Sequence, residues 1–169
     1  LGYSHTSASA DEMIRRRYHS AEAFKPVLET YLRHGVDSIM APLGNSPDLV
    51  RALDETEQKL GREIIRIDTP YLNMDDTPQG RKEAEDEVKA SARRGARFCL
   101  IHHSCAEQLV NKNLGQICRL DDYTKMIRDA GLIPGLSAHM PELVVYSDKN
   151  GCDVETYIQI FNCMGFLMQ

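Results

Sequence analysis

The chain has 169 residues, of which 42% are hydrophobic, and it carries a net charge of −5. This composition is sufficient for a buried core, and we treat residues 1–169 as a single domain. Lys and Arg are dispersed along an acidic chain, which argues against nucleic acid as a partner. No apolar stretch reaches the roughly eighteen residues of a membrane span, so no membrane partner is expected.

The cysteine content indicates the compartment. The five cysteines are odd in number and form no CxxC pair. Cys99 lies inside an apolar segment, as expected of a buried thiol. Such a set is typical of a reducing environment and not of a disulfide framework, so we expect a cytoplasmic protein.

Six short apolar runs, each ending in a polar residue, follow one another along the chain. They cover residues 2–5, 36–44, 63–70, 97–104, 132–139 and 154–162. Amphipathic stretches with helical periodicity separate them. This alternation of strand and helix predicts a parallel sheet with helices packed on it.

The segments between the runs carry helix start and stop signals. Pro26 is expected to divide the first helical region in two, and Ser46-Pro47-Asp48 marks the start of the next helix. A loop is predicted over residues 71–80. Further helices are predicted over residues 81–94, 106–111, 121–131 and 141–151. The glycines expected to end helices in the left-handed conformation are Gly35, Gly61, Gly95, Gly131 and Gly151.

The repeated order of helix, glycine, strand and polar end favours a closed (β/α)8 barrel over an open doubly wound sheet. Eight units at this spacing give the roughly 250 residues that are usual for such barrels. About six units are present, so we expect an incomplete TIM-type α/β barrel with at least two units beyond the C-terminal side. The apolar segment Phe166-Leu167-Met168 is expected either to continue the fold or to contact another subunit of a homo-oligomer.

In parallel sheets the active site lies at the carboxyl ends of the strands. The chemically capable residues at these positions are His5, Asp68, His102, His103, His139 and Asn162. Because side chains alternate along a strand, one imidazole of the His102-His103 pair is expected to face the barrel mouth and the other the helix layer or the following loop. We take His102, His103 and Asp68 as candidate catalytic residues for acid–base chemistry on a small-molecule substrate.

The same strand ends could also hold a metal. Imidazoles and a carboxylate would suit Zn²⁺, Mn²⁺ or Fe²⁺. The candidate ligands are His5, His103, His139 and Asp68. Capping of the loop that follows is an equally good interpretation of Asp68. The close-spaced signatures HxH and HExxH are absent, as are the glycine-rich phosphate motifs GxGxxG and GxxxxGK[ST].

The order of the segments resembles the aldo-keto reductase superfamily. Phe98-Cys99-Leu100-Ile101-His102-His103 looks like the fourth strand of that family, and residues 130–142 look like its next strand and the proline–glutamate pair that follows. The resemblance implies a barrel, carbonyl reduction with NAD(P)H, and a role for His102 in orienting the carbonyl. It places substrate- or cofactor-binding residues at Ser137, Gln159 and Asn162. The family's catalytic aspartate, tyrosine and lysine have no counterpart on the second and third strands here.

Three functions remain open on the sequence. The first is a barrel enzyme that acts on a small polar metabolite by acid–base or divalent-metal-assisted chemistry. The second is an NAD(P)H-dependent oxidoreductase similar to the aldo-keto reductases. The third is a non-catalytic barrel that binds a metabolite or serves in an assembly. Because one barrel fold hosts many chemistries, the fold alone does not choose among them.

Overall fold

The computed structural model describes residues 20–165 and 167–168. By internal contacts the chain divides into two compact units, which are described separately below. Over its described part, the first unit comprises residues 20–39 and 45–65. The second comprises residues 40–44 and the described residues from 66 onward. The predicted strand at residues 2–5, including His5, lies outside the described residues.

The first unit is built on two helices that pack against each other, α1 (Ala21–Arg33) and α2 (Pro47–Leu60). Each helix buries an apolar stripe, with Leu28 and Leu32 on α1 and Leu53 on α2. Ion pairs join their flanks: Lys25 contacts Glu55 at 2.8 Å and Lys59 contacts Glu29 at 2.7 Å. The unit is therefore a helical hairpin held by a small core and a charged rim.

Pro26 lies inside α1 and does not divide it, so the predicted split is wrong. The helix begins after Ser20, whose side chain accepts a hydrogen bond from the N–H of Ala23, and it continues through Pro26 as one element. An interior proline removes a helix hydrogen bond and costs about 3 kcal/mol. Burial of Leu28 and Leu32 beyond the proline outweighs this local cost, because packing overrides propensity.

The strands, in chain order, are β1 (Ser38–Ala41), β2 (Ile65–Asp68), β3 (Ala96–Ile101), β4 (Val110–Asn111), β5 (Gln116–Ile117), β6 (Ile133–Ala138) and β7 (Thr156–Gln159). Five of them form one parallel sheet in the order β1-β2-β3-β6-β7. The strands predicted from residue 36 onward are thereby confirmed. The sheet is curled like half of a barrel, and the described residues do not form the closed eight-stranded barrel.

The second unit buries its core between the sheet and the helices α3 (Pro78–Arg93), α4 (His103–Ala106), α5 (Leu120–Asp129) and α6 (Pro141–Asn150). Val88 of α3, Ile127 of α5 and Leu143 of α6 are fully buried in this core together with Ile101 and Leu136 of the sheet. Helices with one apolar stripe and strands with buried central residues are what a parallel sheet requires. Among the described residues, no helix is long and apolar enough to cross a membrane.

Two local predictions in this unit are corrected by the structure. The helix expected to begin at residue 81 begins at Pro78, because the side chain of Thr77 accepts the N–H of Gly80 at 3.0 Å and caps it earlier. The helix expected over residues 106–111 is replaced by a 3₁₀ turn at Glu107–Leu109 and by the β4–β5 hairpin. The Asn111 side chain accepts the N–H of Leu114 at 3.1 Å and favours this turn over a helix.

The predicted left-handed glycines are confirmed. Their φ angles are positive at Gly35 (80°), Gly61 (61°), Gly95 (78°), Gly131 (78°) and Gly151 (61°). Each glycine reverses the chain from a helix toward the following strand, which a residue with a side chain does less easily. The repeated unit inferred from the sequence is therefore present in the backbone.

Gly135 in the middle of β6 should not tolerate a side chain. A Cβ there would lie 2.6 Å from Cγ of Leu100 and 2.8 Å from the backbone oxygen of Thr156. We predict that Gly135→Ala lowers the free energy of unfolding by about 2 kcal/mol, because the neighbouring strands must move apart. Urea denaturation measures the loss. Ser137→Ala on the same strand is the control and should change the stability by less than about 1 kcal/mol; equal stability of the two variants would contradict the close approach.

Candidate functional site

Two parallel neighbouring strands bring three histidines to one edge of the sheet. Strand β3 pairs with β6, with Ile101 opposite Leu136. His102 follows the end of β3, and His139 follows the end of β6. His103 is the first residue of α4. The carboxyl ends of adjacent parallel strands meet at the same edge, which is where barrel enzymes carry their active sites.

The rings at this edge contact one another in a row, which we call the ring column: Tyr71, His102, His103 and His139. The centroids of Tyr71 and His102 are 4.0 Å apart, and those of His102 and His103 are 4.1 Å apart. His103 and His139 are 3.6 Å apart with only 9° between their planes. Tyr71 is 51% exposed, and the three imidazoles are half-buried. The column thus runs from the surface into the edge of the sheet.

The two consecutive imidazoles lie side by side because the strand ends before them. His102 caps α4: its Nδ1 accepts the backbone N–H of Ser104 at 3.3 Å and lies 2.8 Å from Oγ of Ser104. The chain therefore turns into a helix at His102, and strand alternation no longer applies. The expectation that the two rings face opposite sides is wrong. Because Nδ1 accepts a hydrogen bond, the neutral ring of His102 carries its proton on Nε2.

The surroundings keep the imidazoles of His102 and His103 uncharged near neutral pH. Burial, and then repulsion by His103 and His139, lower the pKa of His102 from 6.5 to about 4, while Glu107 acts in the opposite direction. Burial followed by repulsion from His139 also lowers the pKa of His103, and Glu107 again opposes the change. A neutral imidazole is the form that accepts a proton, so a histidine in this state could act as a base.

The backbone of His139 is held from both sides. Oε1 of Glu107 accepts the N–H of His139 at 2.7 Å and the N–H of Met140 at 2.9 Å. On the other side, the Gln159 amide donates to the backbone oxygen of His139 at 3.1 Å. Gln159, which the family resemblance assigns to cofactor binding, therefore lies next to the histidines and supports one of them.

Asp68 lies at the end of β2, but its carboxylate is engaged elsewhere. It is fully buried. Oδ1 accepts the backbone N–H of Leu43 at 2.9 Å, and Oδ2 accepts the hydroxyl of Ser91 at 2.6 Å and lies 3.4 Å from the guanidinium of Arg94. Ser91 belongs to α3 and Arg94 ends it, so the carboxylate joins the sheet to the helix layer. These contacts give Asp68 a structural role in the fold, and catalysis or metal binding by it stays a prediction.

The other two predicted binding residues lie near the carboxyl ends of the last two strands. Ser137 is a half-buried residue of β6, opposite Ile158 of β7. Asn162 follows β7, and its side-chain oxygen accepts the N–H of Met164 at 3.2 Å, which closes a local turn. The assignment of Ser137 and Asn162 to substrate or cofactor binding stays a prediction.

The arrangement of the imidazoles does not suit a shared metal. An ion bound to a histidine lies in the plane of the ring, about 2.0–2.1 Å from the nitrogen. The rings of His103 and His139 are stacked in nearly parallel planes, so an ion in one plane lies outside the other. Within the described part of the chain, no group of three or more His, Cys, Asp or Glu is placed to hold a metal. His5, the remaining proposed ligand, lies outside the described residues.

Two members of the site were not among the residues singled out from the sequence. Glu107 stands four residues after His103, a spacing at which side chains on a helix can interact. Tyr71 follows Pro70 just beyond β2, and is therefore also near a strand end. The position of each residue in the sequence could have indicated that it lies near the site. A glutamate or a tyrosine by itself does not indicate a site.

Removal of the Asp68 carboxylate should destabilise the fold. We predict that Asp68→Ala lowers the free energy of unfolding by about 3 kcal/mol, because buried donors on Leu43 and Ser91 lose their acceptor. Asp76→Ala is the control, because Asp76 is 59% exposed in its ion pair with Arg81 and its loss should cost less than about 1 kcal/mol. Chemical denaturation of both variants checks this. An Asp68→Ala protein as stable as the wild type would contradict the structural role of Asp68.

Acidification should weaken the folded state through His102. Its pKa is about 4 in the folded state and 6.5 in the reference state, so the unfolded chain takes up the proton first. The contribution of His102 to stability is present above pH 6.5 and is lost as the pH falls toward 4.

Asparagine keeps an acceptor for the Ser104 N–H but does not titrate in this range. We therefore predict that His102→Asn loses less stability than the wild type between about pH 7.5 and pH 5. Urea unfolding at both pH values tests this, with the exposed His34→Asn as control; identical pH dependence in wild type and His102→Asn would be the contrary result.

Comparison with known proteins does not assign this chain to a family. No protein-family model matches the sequence. No curated protein matches it either. The resemblance to the aldo-keto reductases therefore stays a prediction. The ring column and its surroundings are the features that indicate a function.

Proposed function

We propose that the protein is a barrel-type enzyme that acts on a small polar metabolite by general acid–base chemistry at the carboxyl ends of its strands. The observation that carries this proposal is the convergence of His102, His103 and His139 at one sheet edge. Three half-buried imidazoles in contact, two of them with a lowered pKa, have the properties required to move protons at neutral pH.

The roles of the imidazoles follow from their contacts. Nδ1 of His102 is occupied by Ser104, so its Nε2–H is left to donate a hydrogen bond to a substrate oxygen. A neutral imidazole can polarise a carbonyl in this way. His103 has a lowered pKa, so its neutral ring is available near pH 7 to accept the proton from carbon. His139 is stacked on His103, so the face of its ring lies against the imidazole that takes up the proton. Proton transfer beside a carbonyl group, as in isomerases and lyases, is the reaction class we favour.

Hydrogen–deuterium exchange tests this class before the substrate is known. We predict that the protein in D2O catalyses the loss of C–H signals next to the carbonyl in a panel of keto acids, aldoses and ketoses, followed by proton NMR. His103→Gln should slow the exchange by about 100-fold, because it removes a base while keeping the size of the side chain. His34→Gln is the matched control, because His34 is an exposed histidine of the first unit.

The alternatives give different results in the same preparation. Exchange that appears only with added Zn²⁺, Mn²⁺ or Fe²⁺ and disappears with a chelator would favour the metal-assisted reaction. NADPH oxidation by a carbonyl compound, without C–H exchange, would favour the nicotinamide-dependent oxidoreductase. Binding of a panel member that survives replacement of all three histidines, without turnover, would favour the non-catalytic protein.

A further inference from the structure

We propose that Glu107 is the positioning residue of the ring column: its carboxylate holds the backbone of His139 where the imidazole stacks on His103, and it places a negative charge beside that backbone. This inference rests on the proposed function for its catalytic consequence, but its structural part can be tested without a substrate. Glu107 belongs to the 3₁₀ turn directly after α4, the helix that begins with His103. It therefore connects the element carrying one ring to the backbone carrying the other.

The two hydrogen bonds of Glu107 fix the position of His139. A single oxygen, Oε1, accepts the N–H groups of His139 and Met140 at 2.7 and 2.9 Å. These groups precede α6, whose cap residue Met140 offers no side-chain hydrogen bond of its own. A carboxylate at a helix N-terminus is favoured by the exposed N–H groups and the helix dipole. Glu107 thus supplies the missing cap and sets the spacing of His103 and His139 at the same time.

The charge of Glu107 has a second effect. The groups that act electrostatically on His103 are His139, which disfavours its protonation, and Glu107, which favours it. His102, the next ring of the column, is subject to the same two influences and to His103. Two stacked imidazoles 3.6 Å apart resist a second proton strongly, because like charges at that distance repel. The negative charge of Glu107 partly offsets this repulsion at His103.

This arrangement would serve acid–base turnover. When His103 accepts a proton from the substrate, the positive charge develops near the carboxylate of Glu107, which favours it. The proton can then be returned without passing through bulk water. A loose His139 would lose both the stacking and the spacing, so Glu107 would influence the reaction without touching the substrate.

The test separates position from charge with two variants. Glu107→Gln keeps a side-chain oxygen that can accept both N–H groups but removes the charge, whereas Glu107→Ala removes both. Histidine ring signals in isotope-labelled full-length protein are followed by NMR across pH. In Glu107→Gln we expect the contact between the His103 and His139 rings to persist and the pKa of His103 to fall, because the charge that favours its protonation is removed. In Glu107→Ala we expect that ring contact to be lost.

The matched control is Glu142→Gln. Glu142 lies in the first turn of α6 and pairs with Lys112 at 3.0 Å, and it does not act on the pKa of either His102 or His103. Its removal should leave the ring contact and both titrations unchanged. Thermal unfolding verifies that each variant is folded; if Glu107→Ala is not, Glu107→Asp, whose shorter side chain cannot reach both N–H groups in the same way, replaces it.

The results separate this inference from the proposed function. A ring contact that persists in Glu107→Ala, or a His103 titration unchanged in Glu107→Gln, would overturn the role of Glu107 whatever the activity. Loss of the ring contact together with a C–H exchange rate at least about 10-fold slower in Glu107→Ala would support both proposals. If the NMR changes appear as expected but the protein has no C–H exchange activity, Glu107 is a positioning residue and the proposed reaction is wrong.

Discussion

The parallel pairing of β3 with β6 is the contact on which the candidate site depends. These strands are adjacent in the sheet but separated along the chain by α4, the β4–β5 hairpin and α5. Their register places the end of one beside the end of the other, so His103 and His139, 36 positions apart in the chain, become stacked rings. Gly135 makes this possible, because any side chain there would collide with Leu100 of β3. A small residue in the core of the sheet thus permits the close approach of the strands that carry these groups.

The chain uses its strand-end polar groups in two different ways. Asp68 is fully buried and keeps its charge satisfied with a backbone N–H, a hydroxyl and a guanidinium, which anchor a helix to the sheet. The histidines are only half-buried, and most of their contacts are with one another. A carboxylate with all its acceptors engaged stabilises a fold, whereas a cluster of weakly paired imidazoles costs stability and is the kind of arrangement found where proton transfer is needed.

Periodicity and turn chemistry predicted the elements of the fold, but not the details that depend on packing. The five strands and the left-handed glycines follow from local patterns, because apolar runs and φ angles are properties of short segments. Continuity of α1 through Pro26 could not be predicted, since it depends on how Leu28 and Leu32 are buried. The proximity of His103 and His139 depends on strand order, which the βα alternation predicted correctly. Their stacking depends on the turn at His102 and on Glu107, and no local pattern specifies either one.

The stacking itself bears on which chemistry the site can perform. Rings that converge on a metal point their nitrogens at one place and lie in different planes, whereas the rings of His103 and His139 are nearly parallel. The face of a second, parallel ring can lie against one imidazolium, but two parallel rings are poorly placed to share one ion. Glu107 fixes the backbone from which the His139 ring projects. The stacking therefore supports the proposed acid–base reaction over the metal-assisted one.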